Sequence, residues 1–169
     1  FLFPGQGAQY VDMGRSLYER EAVFRNEVDR CAEILRRHLG QDVRSVLYPE
    51  NAEQREAAEI QINETWMTQP VIFVVEYALA QLWLSWGIKP SAVIGHSIGE
   101  YVCAVLADSF ALEDALALLS VRAKLMQSLP SGSMIGIRQS AAEIEPILPQ
   151  DASIAAINSP KLCTVSGPT

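Results

Sequence analysis

The chain has 169 residues, enough for one hydrophobic core of ordinary size or slightly more. Hydrophobic residues make up 49% of the sequence and charged residues 20%, a balance typical of a soluble globular enzyme. The formal net charge of −7 disfavours nucleic acid and anionic membranes as partners, and no uninterrupted apolar run approaches the roughly 18 residues of a membrane-spanning helix.

The first half of the chain predicts one strand and two main helices. Residues 1–3 read as the end of a buried strand, and a glycine-rich loop follows at residues 4–9. Residues 21–39 form an amphipathic helix because apolar residues recur every three or four positions before a terminating glycine. The polar segment 45–65 reads as a loop with at most a short helix. Thr68 then caps an apolar helix that runs to Trp86, with Pro70 in its first turn.

The second half predicts alternating strands and helices, followed by a smaller unit. A short buried strand at 92–95 precedes a helix at 98–107, and a further helix covers 112–129 before Pro130. This alternation predicts an α/β fold, with an α/β-hydrolase-like parallel sheet covered by helices on both faces. We assign residues 1–130 to that large subdomain. Residues 131–169 read as strand, helix capped by Ser140, strand and strand, an incomplete ferredoxin-like subdomain.

The three cysteines, Cys31, Cys103 and Cys163, are far apart and form no CxxC pair. We interpret them as reduced, buried or half-buried thiols of a cytoplasmic protein. Since zinc sites use four nitrogen or sulfur ligands at short spacings, the sequence predicts no metal site.

The pentapeptide Gly95-His96-Ser97-Ile98-Gly99 matches G-x-S-x-G, the nucleophile elbow. In that motif the serine lies on a sharp, strained turn between a strand and a helix, and the glycines avoid clashes with neighbouring backbone. The following helix directs free N–H groups to the same place, so the Ile98 amide is a natural oxyanion donor. The alternative is an ordinary serine in a tight turn, with glycines there for packing.

Five segments in order extend this pattern over essentially the whole chain: "FPGQGAQY", "TQP", "GHSIGEY", "VRAKLMQ" and "NSPKLCTVSGP". Together they resemble the acyltransferase family that loads malonyl-type units onto acyl carrier proteins. That family includes malonyl-CoA:acyl carrier protein transacylases and the acyltransferase domains of modular polyketide synthases, and the chain looks more like the latter. The resemblance implies an acyl-CoA substrate, no bound cofactor, phosphopantetheine on the acceptor protein, and neighbouring ketosynthase and other synthase domains.

The resemblance also implies roles for individual residues. Ser97 matches the nucleophile of a two-step exchange through an acyl-serine ester. The backbone amides of Gln6 and Ile98 match the oxyanion hole. Arg122 matches the arginine that holds the free carboxylate of a malonyl-type substrate, which suits a planar guanidinium. The branched Ile98 resembles malonyl-selective members more than methylmalonyl-selective ones.

Several of these residues have a plain structural alternative. Arg122 lies in a mostly apolar helix and would also serve as an ion-pair partner of Glu113 or Asp114. Gln69 and Asn158 lie in motifs that line the family's pocket, but Thr68-Gln69-Pro70 is also a helix start, and Asn158 begins a turn signal.

The general base that a serine nucleophile needs is not evident in this chain. His96 is adjacent to Ser97 on a sharp turn, so its ring should point elsewhere and it is at most a pocket residue. His38 lies near two arginines at the end of the first helix. The family's base is a histidine that follows the small subdomain, so we expect a truncated chain that is inactive alone.

Two rival functions stay open on the sequence alone. A serine hydrolase, such as a thioesterase, would use the same elbow but would have no need of the Arg122 cation. A non-catalytic fragment or docking module would explain the lack of a base.

Overall fold

The computed structural model describes all residues from Phe1 to Thr169, which divide into two compact units, Phe1–Gln127 and Ser128–Thr169. This division lies three residues before the predicted boundary at residue 130.

The first unit contains a two-stranded parallel sheet and seven helices, and the second contains a three-stranded antiparallel sheet and a short helix. The helices of the first unit are α1 Arg15–Arg20, α2 Ala22–Leu39, α3 Val43–Leu47, α4 Ala52–Gln61, α5 Thr65–Ser85, α6 Gly99–Leu106 and α7 Leu112–Gln127, and its strands are β1 Leu2–Phe3 and β2 Ile94–Gly95.

Helix α2 confirms the amphipathic pattern read from the sequence. It ends at Gly40, which has a φ of 79°, a left-handed conformation that glycine adopts without steric cost. Arg36 and Arg37 are exposed beside the helix C-terminus, where positive charge is favourable. All five predicted apolar positions are buried: Phe24, Val28, Cys31, Leu35 and Leu39.

Helix α5 begins at Thr65 with Glu64 at the N-cap position, four residues before the predicted cap Thr68. Thr68 is therefore inside the helix and does not cap it. Its hydroxyl donates to the carbonyls of Ile62 at 2.6 Å and Glu64 at 3.0 Å. A threonine that bonds to the preceding turn in this way cannot be distinguished from a capping threonine by sequence alone. Pro70 lies within the second turn.

Helix α5 is also the core of the first unit, packed against α2, α6 and α7. By length and composition alone it would suffice to cross a membrane, but 72% of its most apolar window is buried inside the structure. The core helix of a folded domain passes the same length and composition test.

The prediction that residues 45–65 form mainly a loop is wrong, because this segment contains most of α3 and all of α4. Asp42 caps α3 by accepting a hydrogen bond from the Arg44 amide, and Asn51 caps α4 by accepting one from the Gln54 amide. Helix α4 buries only Ala58. A helix exposed on nearly all sides has no apolar stripe, so periodicity failed to reveal it.

The parallel pair β1–β2 sets the position of the two loops that follow it. Leu2 pairs with Ile94 and Phe3 with Gly95, and the His96 amide continues the ladder by donating to the Phe3 carbonyl at 2.9 Å. Because the carboxyl ends of parallel strands meet at the same edge of a sheet, the glycine-rich loop after β1 and the Ser97 turn after β2 lie side by side.

The second unit has strands β3 Gly132–Ile137, β4 Ser153–Ser159 and β5 Leu162–Pro168 in the antiparallel order β3-β5-β4. Its helix α8, Ala141–Ile144, begins with the capping box expected from Ser140 and Glu143, and a 3₁₀ turn follows at Glu145–Ile147. Strands and helices of both units make the chain an α/β protein. The hydrolase-like and ferredoxin-like assignments stay predictions.

Candidate active site

Ser97 lies on the sharp turn that the sequence motif predicts. Strand β2 ends at Gly95, α6 begins at Gly99, and Ser97 has a φ of 53°, which is uncommon for any residue other than glycine. Such a conformation costs about 1–3 kcal/mol and persists only where the surroundings impose it. The side chain is exposed, so the strain presents a hydroxyl to solvent at the N-terminus of a helix.

The glycines on either side of the turn are required by close backbone contacts. A Cβ at Gly95 would lie 2.2 Å from the carbonyl carbon of Gly99, and a Cβ at Gly99 would lie 2.3 Å from the carbonyl oxygen of Phe3. Both distances are far inside van der Waals contact. The G-x-S-x-G spacing therefore reflects the packing of strand, turn and helix in this structure.

The backbone amide that follows Ser97 and one in the glycine-rich loop have no protein acceptor. The amides of Gly99 and Glu100 donate to the carbonyls of His96 and Ser97, but the Ile98 amide does not donate to any protein group. The Gln6 amide in the glycine-rich loop also has no protein acceptor. Free N–H groups at a helix N-terminus and in an adjacent loop can stabilise a developing oxyanion.

Gly5 brings the glycine-rich loop into contact with the turn. A Cβ at Gly5 would lie 2.9 Å from Nδ1 of His96 and 3.5 Å from Cβ of Ser97. Gly5 had no specific predicted role, although its place in a glycine-rich segment was a signal. Only a residue without a side chain allows the two loops to approach this closely.

Side-chain hydrogen bonds fix the glycine-rich loop against the start of α5. The Gly7 amide donates to Oε1 of Gln9 at 2.8 Å, and Nε2 of Gln9 donates to Oδ1 of Asn63 at 3.0 Å. Nε2 of Gln6 donates to Oγ1 of Thr65 at 3.4 Å. The loop is thus tied down by its glutamine side chains, which leaves the Gln6 backbone amide unengaged.

Arg122 on α7 is half-buried and has no acidic partner. Its Nη1 donates to Oε1 of Gln69 at 2.7 Å, and its guanidinium lies 5.9 Å from the ring centroid of Tyr101 on α6. The alternative ion pair with Glu113 is wrong, because Glu113 pairs with Arg30 at 3.0 Å. Asp114 forms no ion pair either.

Gln69 is the most enclosed polar side chain of this group, with 1% of its surface exposed. It accepts from Arg122 and donates through Nε2 to Sδ of Met126 at 3.3 Å, so both ends of its amide are engaged. The structure therefore brings Gln69 and Arg122 together and adds Tyr101, which had no predicted role. Tyr101 lies in the first turn of α6, four residues after Ser97, and its place beside the motif was the available signal.

The remaining predicted residues lie elsewhere or play no evident part. His96 is exposed and its Nδ1 faces Gly5, while His38 is exposed at the end of α2. Asn158 belongs to the second unit, where it lies on β4 rather than in a turn, and its Nδ2 donates to Oγ1 of Thr164 at 3.0 Å.

The cysteines do not offer a second nucleophile. All three are free, Cys31 and Cys163 are buried, and burial raises the pKa of both the Cys31 and the Cys103 thiol. A raised pKa keeps a thiol protonated and unreactive near neutral pH. No group of three or more His, Cys, Asp and Glu side chains is placed to hold a metal ion.

Comparison with protein families gives a match over the whole chain. The family model described as "Acyl transferase domain" matches residues 1–169. A phenolphthiocerol/phthiocerol polyketide synthase of Mycobacterium tuberculosis is 39% identical over 168 residues. That match covers 99% of this chain and 11% of the relative, so the chain spans about a tenth of the relative's length.

Solved structures give the same result. The acyl transferase domain of ZmaA superposes with a TM-score of 0.90 at 43% identity, over 99% of this chain and 40% of that one. The malonyl CoA-acyl carrier protein transacylase from Clostridium perfringens superposes with a TM-score of 0.80 at 27% identity, over 99% of this chain and 52% of that one.

Proposed function

The chain belongs to the acyl transferase domain family, and on that basis we propose that it moves a malonyl-type acyl group from CoA to an acyl carrier protein in polyketide synthesis. The observation that carries the proposal is the pairing of two features in one unit. Ser97 is held in a strained, exposed turn, and Arg122 is half-buried with no carboxylate of its own.

In the first half-reaction, Oγ of Ser97 attacks the carbonyl carbon of the acyl-CoA thioester. The amides of Ile98 and Gln6 donate to the oxygen that becomes negative, and no protein hydrogen bond has to break because neither has a protein acceptor. The carbon–sulfur bond then breaks, CoA leaves as its thiol after taking up the proton lost by the serine, and an acyl-serine ester is formed.

In the second half-reaction, the phosphopantetheine thiol of the carrier protein attacks the acyl-serine ester. The same two amides stabilise the second oxyanion, the ester bond to Oγ breaks, and Ser97 regains its proton. The reaction is an exchange of one thioester for another, so it needs no redox cofactor and no metal.

The proton must be moved by a base that these residues do not supply. His38 is exposed at the far end of α2, and Nδ1 of His96 faces Gly5. We propose that the base is a histidine outside residues 1–169, as the family resemblance implies. A polypeptide of these residues alone should then be inactive. Efficient acyl transfer by that polypeptide, lost in its Ser97→Ala variant, would contradict this.

We propose that Arg122 binds the free carboxylate of the acyl group. A guanidinium grips a carboxylate through two parallel hydrogen bonds, and Gln69 leaves most of the five N–H donors of Arg122 unused. Malonyl is favoured as the substrate because the C. perfringens neighbour is a malonyl-CoA transacylase and because Ile98 stands after the serine. The Ile98 side chain is fully buried, so it would act through the position of its amide.

The wider setting follows from the same family. We propose that residues 1–130 are part of an α/β-hydrolase-like large subdomain and residues 131–169 part of a ferredoxin-like small one. The relatives are polyketide synthases, which favours a cytoplasmic multidomain protein in which the acyl carrier protein and a ketosynthase are neighbours.

A transfer assay with the full-length synthase tests the proposal. Labelled malonyl-CoA is mixed with the carrier protein, and the label on the phosphopantetheine thiol is measured for the wild type and Ser97→Ala. The proposal predicts transfer that depends on Ser97 and ping-pong kinetics. Release of free malonate without any transfer to the carrier would instead indicate a hydrolase, and no reaction of Ser97 with any acyl-CoA would indicate a docking module.

A further inference from the structure

The Gln6 amide, one of the two oxyanion donors of the proposed reaction, lies between two glycines. Glycine leaves the backbone freer than any other residue does, and Gly7 has a φ of 117° with open space where a Cβ would lie. Gly5 is held by its close packing against His96 and Ser97, but Gly7 has no such packing. A donor stabilises an oxyanion most when it is fixed in advance, so the loop requires a restraint at Gly7 from another part of the chain.

Three consecutive hydrogen bonds connect Gly7 to helix α4. The Gly7 amide donates to Oε1 of Gln9 at 2.8 Å, and Nε2 of Gln9 donates to Oδ1 of Asn63 at 3.0 Å. Nδ2 of Asn63 then donates at 2.8 Å to the carbonyl of Glu59, in the last turn of α4. We call these three bonds, from Gly7 through Gln9 and Asn63 to Glu59, the amide bridge.

The groups at the two ends of the amide bridge fix the direction of every bond in it. A backbone N–H only donates, so Gln9 must turn Oε1 toward Gly7 and its NH2 group away from it. A carbonyl oxygen only accepts, so Asn63 must turn its NH2 group toward Glu59 and Oδ1 toward Gln9. The two side-chain amides therefore meet as donor and acceptor, and neither can flip without losing two hydrogen bonds.

We propose that Gln9 and Asn63 are positioning residues for the oxyanion hole, because the amide bridge holds Gly7, and with it the Gln6 amide, in a fixed place relative to α4. This rests on the proposed function, since it assigns a task within that reaction. Helix α4 is itself tied down by two reciprocal hydrogen bonds between Gln61 and Gln41. A helix that buries only one residue thus contributes to the reaction through the loop that it anchors.

Steady-state kinetics of acyl transfer by the full-length synthase test the proposal. Asn63→Leu removes the acceptor for Gln9 and should lower kcat for malonyl-CoA about tenfold, less than the roughly 10²–10³-fold that loss of a whole oxyanion donor typically costs. KM should stay within about twofold of the wild-type value, because the oxyanion exists only in the transition states. The preference for malonyl-CoA over acetyl-CoA should not change, since both thioesters form the same oxyanion.

Conservative variants test the direction of the amide bridge. Asn63→Asp keeps an oxygen that accepts from Gln9, so its kcat should stay within about threefold of the wild type. Gln9→Glu keeps the size of the side chain but places an oxygen against Oδ1 of Asn63, so it should lose as much as Asn63→Leu. Gln41→Leu is the matched control: it removes an amide that bonds to α4 outside the amide bridge and should leave kcat unchanged.

Hydrogen exchange of the peptide that spans residues 4–9 reports on the loop without any reaction. Exchange should be faster in Asn63→Leu than in the wild type and unchanged in Gln41→Leu, because only the first variant releases the restraint on Gly7. Asn63 is exposed, so its substitution should leave the fold intact.

Three results would overturn the proposal: unchanged kcat in Asn63→Leu, a rise in KM that accounts for its whole loss of activity, or an equal loss in Asn63→Asp and Asn63→Leu. Ser97→Ala is measured in the same assay. Transfer that depends on Ser97 but not on Asn63 refutes the amide bridge alone. Transfer that survives in Ser97→Ala, with faster loop exchange in Asn63→Leu, refutes the proposed function and leaves the restraint of the loop standing.

Discussion

Replacing Arg122 should separate substrates that carry a free carboxylate from those that do not. Arg122→Ala removes the guanidinium that we propose binds the malonyl carboxylate, and acetyl-CoA lacks that group. Two charge-assisted hydrogen bonds contribute about 1.5–3 kcal/mol each, and the lower value applies because Arg122 is only half-buried. The loss of about 3 kcal/mol corresponds to roughly a 10²-fold drop in kcat/KM for malonyl-CoA.

The assay is the rate of Ser97 loading in the full-length synthase with malonyl-CoA and with acetyl-CoA. The ratio of the two rates is the informative quantity, because Arg122→Ala also leaves Oε1 of Gln69 buried without a donor and lowers stability by about 1–3 kcal/mol. Arg122→Lys should lose about tenfold, since an ammonium keeps the charge without the planar fork. Arg37→Ala, at an exposed position on α2, is the control and should change neither rate. An equal fall in both loading rates would refute carboxylate binding by Arg122.

Three further predictions concern the surroundings of the site. Gly99→Ala should destabilise the protein by about 3 kcal/mol or more in denaturant titration, because the added Cβ would lie 2.3 Å from a carbonyl oxygen. Gly136→Ala is the control: its Cβ would meet open space, so the free energy of unfolding should change by under about 1 kcal/mol. Gln69→Glu should raise KM for malonyl-CoA at least about tenfold, since a permanent carboxylate would neutralise the substrate-binding arginine. Hydrogen bonds from Arg44 lower the pKa of Asp42, so the ionised carboxyl stabilises the protein and that stabilisation is lost as the pH falls below about 4. Asp42→Asn should keep the α3 cap, but the free energy of unfolding should then fall less steeply below about pH 4 than in the wild type.

The Ser97 turn shows how far sequence reasoning reaches when local sterics decide the structure. The G-x-S-x-G spacing predicted the strand, the turn and the helix, and the contacts that a Cβ at Gly95 or Gly99 would make supply the physical reason. From the residues alone, the role of Arg122 is open between an ion pair and substrate binding, and the family resemblance favours substrate binding. Only the packing of α5 against α7 shows that Gln69, and not an acidic residue, contacts it.

Helices without an apolar stripe were the elements that the sequence predicted least well. The segment that became α4 was predicted as a loop because nearly all of it is exposed, although Asn51 before it is a strong capping residue. Thr68 reads in the sequence as the cap of α5, whereas its hydroxyl bonds back to the preceding turn from inside the helix. Glu76 interrupts an apolar stretch of the sequence, but periodicity does not show that its buried carboxylate has no hydrogen-bond partner.

Peptide mass spectrometry of the full-length synthase, digested after incubation with malonyl-CoA, tests the central claim most directly. The account predicts one malonyl adduct on the peptide that contains Ser97, discharged by the carrier protein and absent from Ser97→Ala. No adduct with any acyl-CoA, or an adduct that persists in Ser97→Ala, would contradict it.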